Sequence, residues 1–155
     1  MNFTALPLAG AYLIELNLRT DDRGHFARVF CKREFETYGL ITHFVQMSTS
    51  FNHRKGQIRG MHYQEEPHAE TKIVRCTQGA IYDVIVDLRK SSPTYNQWYG
   101  EKLSAKNGKM FYIPKGFAHG YQTLEANTEI FYMMDEFYVP EAAREISYKQ
   151  WNLFE

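Results

Sequence analysis

With 155 residues, the chain is the size of one ordinary domain and too short to suggest two. Hydrophobic residues make up 44% and charged residues 23%, a balance that folds to a globule and argues against disorder. Lysine plus arginine and aspartate plus glutamate number 18 each, so the basic excess of a nucleic-acid surface is missing, while a small anionic ligand needs only a local basic cluster.

The first residues, MNFTALPLAGAY, have no basic leader and no long apolar stretch, so no secretory signal is expected there. No later apolar run is long enough for a membrane helix, so no membrane partner is expected. Short runs of β-branched and aromatic residues, broken by Gly, Pro, Asn and Asp, then predict strands at 10–18, 25–31, 44–49, 58–64, 72–77, 80–88, 98–104, 109–113, 119–124 and 128–134. Residues 32–38 (KREFETY) predict one short helix, stopped by Gly39. Ten short strands with turns between them indicate an all-β sandwich or barrel. Cys31 and Cys76 form no CxxC pair and fit a reduced, cytoplasmic protein.

The stretch 80–88 is apolar at nearly every position, which predicts burial on both faces, against the barrel interior and against another sheet or subunit. Asp83 and Asp87 interrupt it. Asp87 precedes Arg89 and fits a structural salt bridge, whereas Asp83 lies mid-strand and is a candidate for an interior polar site. Five more polar residues sit inside apolar strands: Arg59, His62, Lys72, His119 and Tyr132. Alternation puts Tyr132 on the face of Ile130, and Lys72 on the face of Val74 and Cys76. A core tyrosine and a lysine reaching out to solvent are the plainer uses of such positions.

Arg59 and His62 differ by three, so an ideal strand aims them at opposite faces, but Gly60 between them can host a bulge that re-aims one. A surface arginine and a hydrogen-bonded core histidine are the alternative. The turn at 113–120 (IPKGFAHG) delivers His119 to the start of a strand. A metal centre would have to be assembled from His62, Glu66, His68, Glu70 and His119, whose spacing does not favour it, and Lys72 nearby repels a cation. No metal is expected.

The stretches DDRGHF (21–26), IRGMHYQ (58–64), KIVRCTQGAIYDVIVDLRKSSPTY (72–95), LSAKN (103–107), IPKGFAHGY (113–121) and the 132–140 segment resemble, in order, the dTDP-4-dehydrorhamnose 3,5-epimerase family. The resemblance implies an all-β, cupin-like jelly roll with one short helix, forming a single domain over 1–155. It also implies a homodimer that needs no cofactor and serves deoxysugar and surface-polysaccharide biosynthesis. By the same resemblance His62 is the general base, Tyr132 the acid on the opposite face of the sugar, and Lys72 the cation near its carbonyl. Arg59 and His119 surround the diphosphate and sugar. Arg23 contacts the nucleotide diphosphate, and Phe26 and Tyr138 lie near the base, with Tyr138 stacking on it. A 4-keto group acidifies the neighbouring C3–H and C5–H bonds, because the carbanion delocalises into an enolate, and a neutral histidine can take such a proton.

The chain also departs from the family. Arg28 stands where many members have a glutamate that reads thymine, so a donor replaces an acceptor and the base need not be thymine. In Gln46–Met47–Ser48 the Asn of a family QDN is replaced, with Gln46 kept alongside Arg28 as a substrate-binding candidate, and Ala143 replaces a glutamate after Pro140. The aspartate that pairs with the family's catalytic histidine lies in a Ser-x-Lys-Asp segment beyond Glu155, so its role is expected to fall to Asp83, to another chain or to nothing. The expected activity is inversion at C3, C5 or both of a nucleotide-linked 4-keto-6-deoxy sugar. A 3,4-ketoisomerase using the same enolate and a silent sugar-nucleotide-binding module are the alternatives.

Overall fold

Alternating sequence patterns resolve, in a computed structural model that describes residues 1–154, into two antiparallel sheets that face each other. In chain order the strands are β1 (Asn2–Ala5), β2 (Tyr12–Glu15), β3 (Arg19–Asp21) and β4 (Gly24–Phe26). After the helix α1 (Lys32–Thr37) come β5 (Gln46–Asn52), β6 (Ile58–Gln64), β7 (Lys72–Gln78), β8 (Ala80–Asp87) and β9 (Trp98–Ser104). The last four are β10 (Lys109–Ile113), β11 (Phe117–Thr123), β12 (Thr128–Met134) and β13 (Ala143–Glu145), followed by a 3-10 turn at Tyr148–Trp151. One sheet has the order β1-β2-β10-β7-β12-β5, the other β13-β6-β11-β8-β9, and β3 and β4 form a separate hairpin. Crossings between sheets by consecutive strands give the jelly-roll pattern. Among the described residues no helix is long and apolar enough to cross a membrane.

The main core lies between the sheets, where Val74, Cys76 and Ile130 from one meet Ile81, Ile85, Leu103 and Tyr121 from the other. Each large side chain buried there stabilises the fold by about 2 kcal/mol. The near-continuous apolar run of β8 is explained on both sides. Ile81 and Ile85 point into this core, while Val84 and Val86 pack outside with Met61, Ala118 and Leu153. The outer cover is thus the chain's own C-terminal segment, where another sheet or subunit was expected; the Trp151 indole donates to Asn96 Oδ1 at 3.0 Å to hold it.

A second core on the outer face of the six-stranded sheet seats α1 through Phe35, which is fully buried. The helix ends as the sequence predicts. Gly39 takes φ +67°, and the Gly39 and Leu40 amides donate to the Glu36 and Phe35 carbonyls, a paired C-terminal cap.

The strand expected at 25–31 ends at Phe26. Ala27, Val29 and Phe30 instead pack against the outer core without joining a ladder, so their apolar alternation reflects burial and not pairing. The strand expected at 10–18 shortens to Tyr12–Glu15. The short edge strands β1 and β13 carry no alternation long enough to be read. Asp87 behaves as foreseen: Arg89 binds it through Nε at 2.9 Å and Nη2 at 2.8 Å, and the Ser92 and Thr94 hydroxyls donate to it. Burial opposes ionisation of Asp87, but these donors hold its carboxyl well below the usual range.

Candidate active site

Gly60 decides the geometry of β6. Along the β6–β11 ladder His62 pairs with His119, but Arg59 pairs with Tyr121, so β6 carries one extra residue at Gly60. Gly60 has φ +102°, and a Cβ there would lie 2.5 Å from the His119 carbonyl oxygen, so only glycine fits. The bulge gives Arg59 and His62 a common side. The Arg59 Nε donates to Asn52 Oδ1 at 2.8 Å, reaching across to the opposite sheet.

His62 lines a cavity of about 440 Å³ with Glu70, Lys72, Tyr138, Ala143, Arg144 and Glu145, a volume suited to a small-molecule ligand. Burial lowers the His62 pKa; Glu145 opposes that, while Lys72, His119 and Arg59 push the same way. This environment favours the neutral ring. Lys72 enters from β7 with Val74, as its parity predicts, and its Nζ lies 2.8 Å from Glu70 Oε1, both side chains largely buried.

Tyr132 belongs to the other sheet, packed against the core beside Ile130. Burial, reinforced by the neighbouring Tyr121 hydroxyl and the Asp83 carboxyl, pushes its phenol far above the usual tyrosine range. Such a group keeps its proton until a strong base, such as a carbanion, forms beside it. His119, paired with His62 along the β6–β11 ladder, has its ring centroid 6.2 Å from that of Tyr132 in an edge-on contact. His62 and Tyr132 thus come from facing sheets, which sit roughly 10 Å apart, but Tyr132, Arg59, His119 and Asp83 are not among the residues that line the His62 cavity.

Asp83 is wholly buried, and its Oδ1 lies 2.7 Å from His119 Nε2; its Oδ2 has no partner. Burial raises the Asp83 pKa, with His119 and Lys72 opposing. The interior-polar reading of Asp83 is right, but its histidine is His119 and not His62. The carboxylate opposite His62 is Glu145, at 3.9 Å. Gln46 Oε1 accepts from the Tyr138 amide at 2.7 Å, and Gln64 Oε1 accepts from the Val139 amide at 2.7 Å, so these glutamines hold the loop that carries Tyr138 to the cavity.

Arg23, Phe26 and Arg28 are not brought to the cavity within this chain. Arg23 pairs with Asp21 at 2.7 Å in the exposed hairpin, and Phe26 is 70% exposed. Arg28 Nη1 lies 3.7 Å from Glu34 Oε2. Of the metal-ligand candidates, Glu66 and His68 line a different depression, while Glu70 pairs with Lys72. Glu70, Glu145 and Arg144 line the cavity beside His62, which the sequence reading missed. Glu70 was singled out only as a metal ligand, and the other two depend on β13, whose pairing has no local signal.

The sequence model of the dTDP-4-dehydrorhamnose 3,5-epimerase family matches residues 5–153. An enzyme of that description from Pseudomonas aeruginosa is 42% identical over 153 residues, covering 98% of this chain and 82% of the relative. The crystal structure of the Bacillus anthracis dTDP-4-dehydrorhamnose 3,5-epimerase, with TDP and PPi bound, superposes with a TM-score of 0.92 at 44% identity, covering 95% of this chain and 84% of that one. A Legionella pneumophila dTDP-6-deoxy-D-glucose-3,5-epimerase, in complex with dTDP-4-keto-L-rhamnose, gives 0.89 at 37% identity, covering 95% and 78%. With both the bulged histidine strand and the match over nearly the full chain in view, this protein belongs to the dTDP-4-dehydrorhamnose 3,5-epimerase family of isomerases.

Proposed function

We propose that the protein inverts C3, C5 or both of a dTDP-4-keto-6-deoxy sugar by proton transfer through an enolate. The observation that supports this reading is that His62 and Tyr132 come from facing sheets, with His119 paired to the first and in edge-on contact with the second. His62 takes the proton from the carbon beside the carbonyl, and the C–H electrons move into the C4–O bond. Lys72 faces the developing oxyanion and stabilises it. Tyr132 delivers its proton to the opposite face of the same carbon, and solvent resets both side chains. Arg59 and His119 bind the diphosphate and sugar, Tyr138 stacks on the base, and Asp83 fixes the His119 ring.

The solved relatives that hold TDP and a dTDP-linked sugar support dTDP as the carrier. Arg28 donates where an acceptor would suit thymine N3–H, but it already faces Glu34, so it need not contact the base. Arg23 and Phe26 sit on an exposed hairpin outside their own cavity. A homodimer whose hairpin reaches into the neighbouring copy's cavity unites them with His62. Residues 1–155 then act as one epimerase-like domain.

The test is turnover of the dTDP-4-keto-6-deoxy sugar in deuterated solvent, followed at C3 and C5. Wild-type protein incorporates deuterium and yields the inverted sugar. His62→Ala abolishes exchange, and Tyr132→Phe lowers inversion at least about a hundredfold. Full turnover by either variant overturns the mechanism. Movement of the carbonyl from C4 to C3 assigns a ketoisomerase instead.

A further inference from the structure

We propose that Glu145 is the positioning residue for His62, holding its ring so that Nε2 carries the proton and Nδ1 is the basic nitrogen turned to the substrate. The inference rests on the proposed role of His62 as base and adds a residue on a strand with no sequence signal.

The pairing of β13 with β6 sets Glu145 directly opposite His62. One step along, the Met61 and Ile146 amides and carbonyls exchange both hydrogen bonds, at 3.2 and 2.9 Å. Antiparallel pairs alternate, so His62 and Glu145 form the non-hydrogen-bonded pair, in which side chains come closest, with Cβ atoms about 5 Å apart. The strand is anchored at its start, where Glu65 N donates to the Ala142 carbonyl at 2.9 Å and Arg144 Nη2 lies 2.7 Å from Glu65 Oε2. The backbone therefore fixes the pair, and only side-chain rotation sets the 3.9 Å gap between Nε2 and Oε2.

Competition for carboxylates points to the same assignment. Among the described residues, Glu70 in the cavity is taken by Lys72, the buried Asp83 by His119, and Glu65 beside the strand by Arg144. Glu145 faces His62 and, among the described residues, no other cation. The groups acting on the His62 charge from the neighbouring elements are Glu145 on β13, Lys72 on β7, His119 on β11 and Arg59 on β6 itself. Of these, Glu145 alone favours the imidazolium that forms when His62 accepts a proton. A carboxylate beside one ring nitrogen selects the tautomer protonated there and leaves the other nitrogen basic. His62 and Glu145 keep 54% and 71% of their side chains exposed, so solvent screens the pair. A bound sugar nucleotide displaces that solvent and strengthens the pair.

The experiment compares wild type, Glu145→Gln and, as a control for removing one charge from the neighbouring loop, Glu141→Gln. Nitrogen NMR on histidine-labelled protein reads the His62 titration midpoint and the ratio of its two neutral tautomers. Turnover of the dTDP-4-keto sugar is followed against pH in parallel. Expected for Glu145→Gln are a lower His62 midpoint, loss of the Nε2–H preference, and a fall of about tenfold in kcat with little change in KM. The acid limb of its pH profile should move to lower pH, and thermal unfolding should match wild type. Glu141→Gln should reproduce wild type throughout. An unchanged midpoint and tautomer ratio in Glu145→Gln overturns the proposal, as does undiminished kcat. If wild-type protein fails to turn over the sugar, the proposed reaction falls, while NMR still decides whether Glu145 governs His62.

Discussion

His119 and Asp83 meet at 2.7 Å with 5% and 0% of their side chains exposed, whereas His62 and Glu145 face each other across 3.9 Å at an open cavity. Both are histidine–carboxylate pairs on neighbouring strands of one sheet, yet burial gives them opposite uses. In the interior, two polar groups without water must satisfy each other, so their geometry is fixed and losing one partner strands the other. At the cavity, water competes for both groups, and the pair contributes only about 0–1 kcal/mol to stability. Its freedom suits a group that must exchange protons with a substrate. The buried pair is held fixed by its own contact, and the exposed pair stays open to solvent and ligand.

Asp83→Ala should show the difference most strongly. It leaves His119 buried without its partner and should cost about 3–5 kcal/mol in urea unfolding. A loss below about 1 kcal/mol would erase the contrast. His62→Ala, expected to abolish exchange, should leave stability within about 0.5 kcal/mol of wild type.

Gly60→Ala probes the backbone shared by both pairs. The new Cβ collides with the His119 carbonyl at a φ of +102°, so a loss of about 1–3 kcal/mol is expected, together with a fall in kcat as His62 is re-aimed. Wild-type stability in this variant would show that the bulge is not required.

The gentlest probe is pH. Burial lowers the His62 pKa from its ordinary 6.5, and only the neutral ring can accept a proton. A lower pKa leaves more free base at any given pH, so kcat/KM should rise with pH through a midpoint below 6.5. An acid limb centred above neutrality would contradict that environment.

Much of this was legible in the residues. The strands β6, β9, β10 and β12 begin and end where apolar alternation and turn residues put them. Lys72 and Tyr132 face inward with Val74 and Ile130 because side-chain direction follows a two-residue period that needs no knowledge of the neighbouring strand. Gly60 between Arg59 and His62 marked the bulge, since an unpaired strand residue leaves its trace in local composition. The errors fell where burial imitated pairing, as in Ala27–Phe30, or where an edge strand was too short for any period, as in β13.

The sequence by itself therefore determined which side chains point inward and where the chain turns, because sterics within a few residues decide both. Only the tertiary structure decided partners. Asp83 and His119 are 36 residues apart, and Glu145 is far from His62 in the chain; each meeting depends on strand register. Register is set by which hydrophobic faces must be buried together across the whole barrel, and no local stretch contains that information.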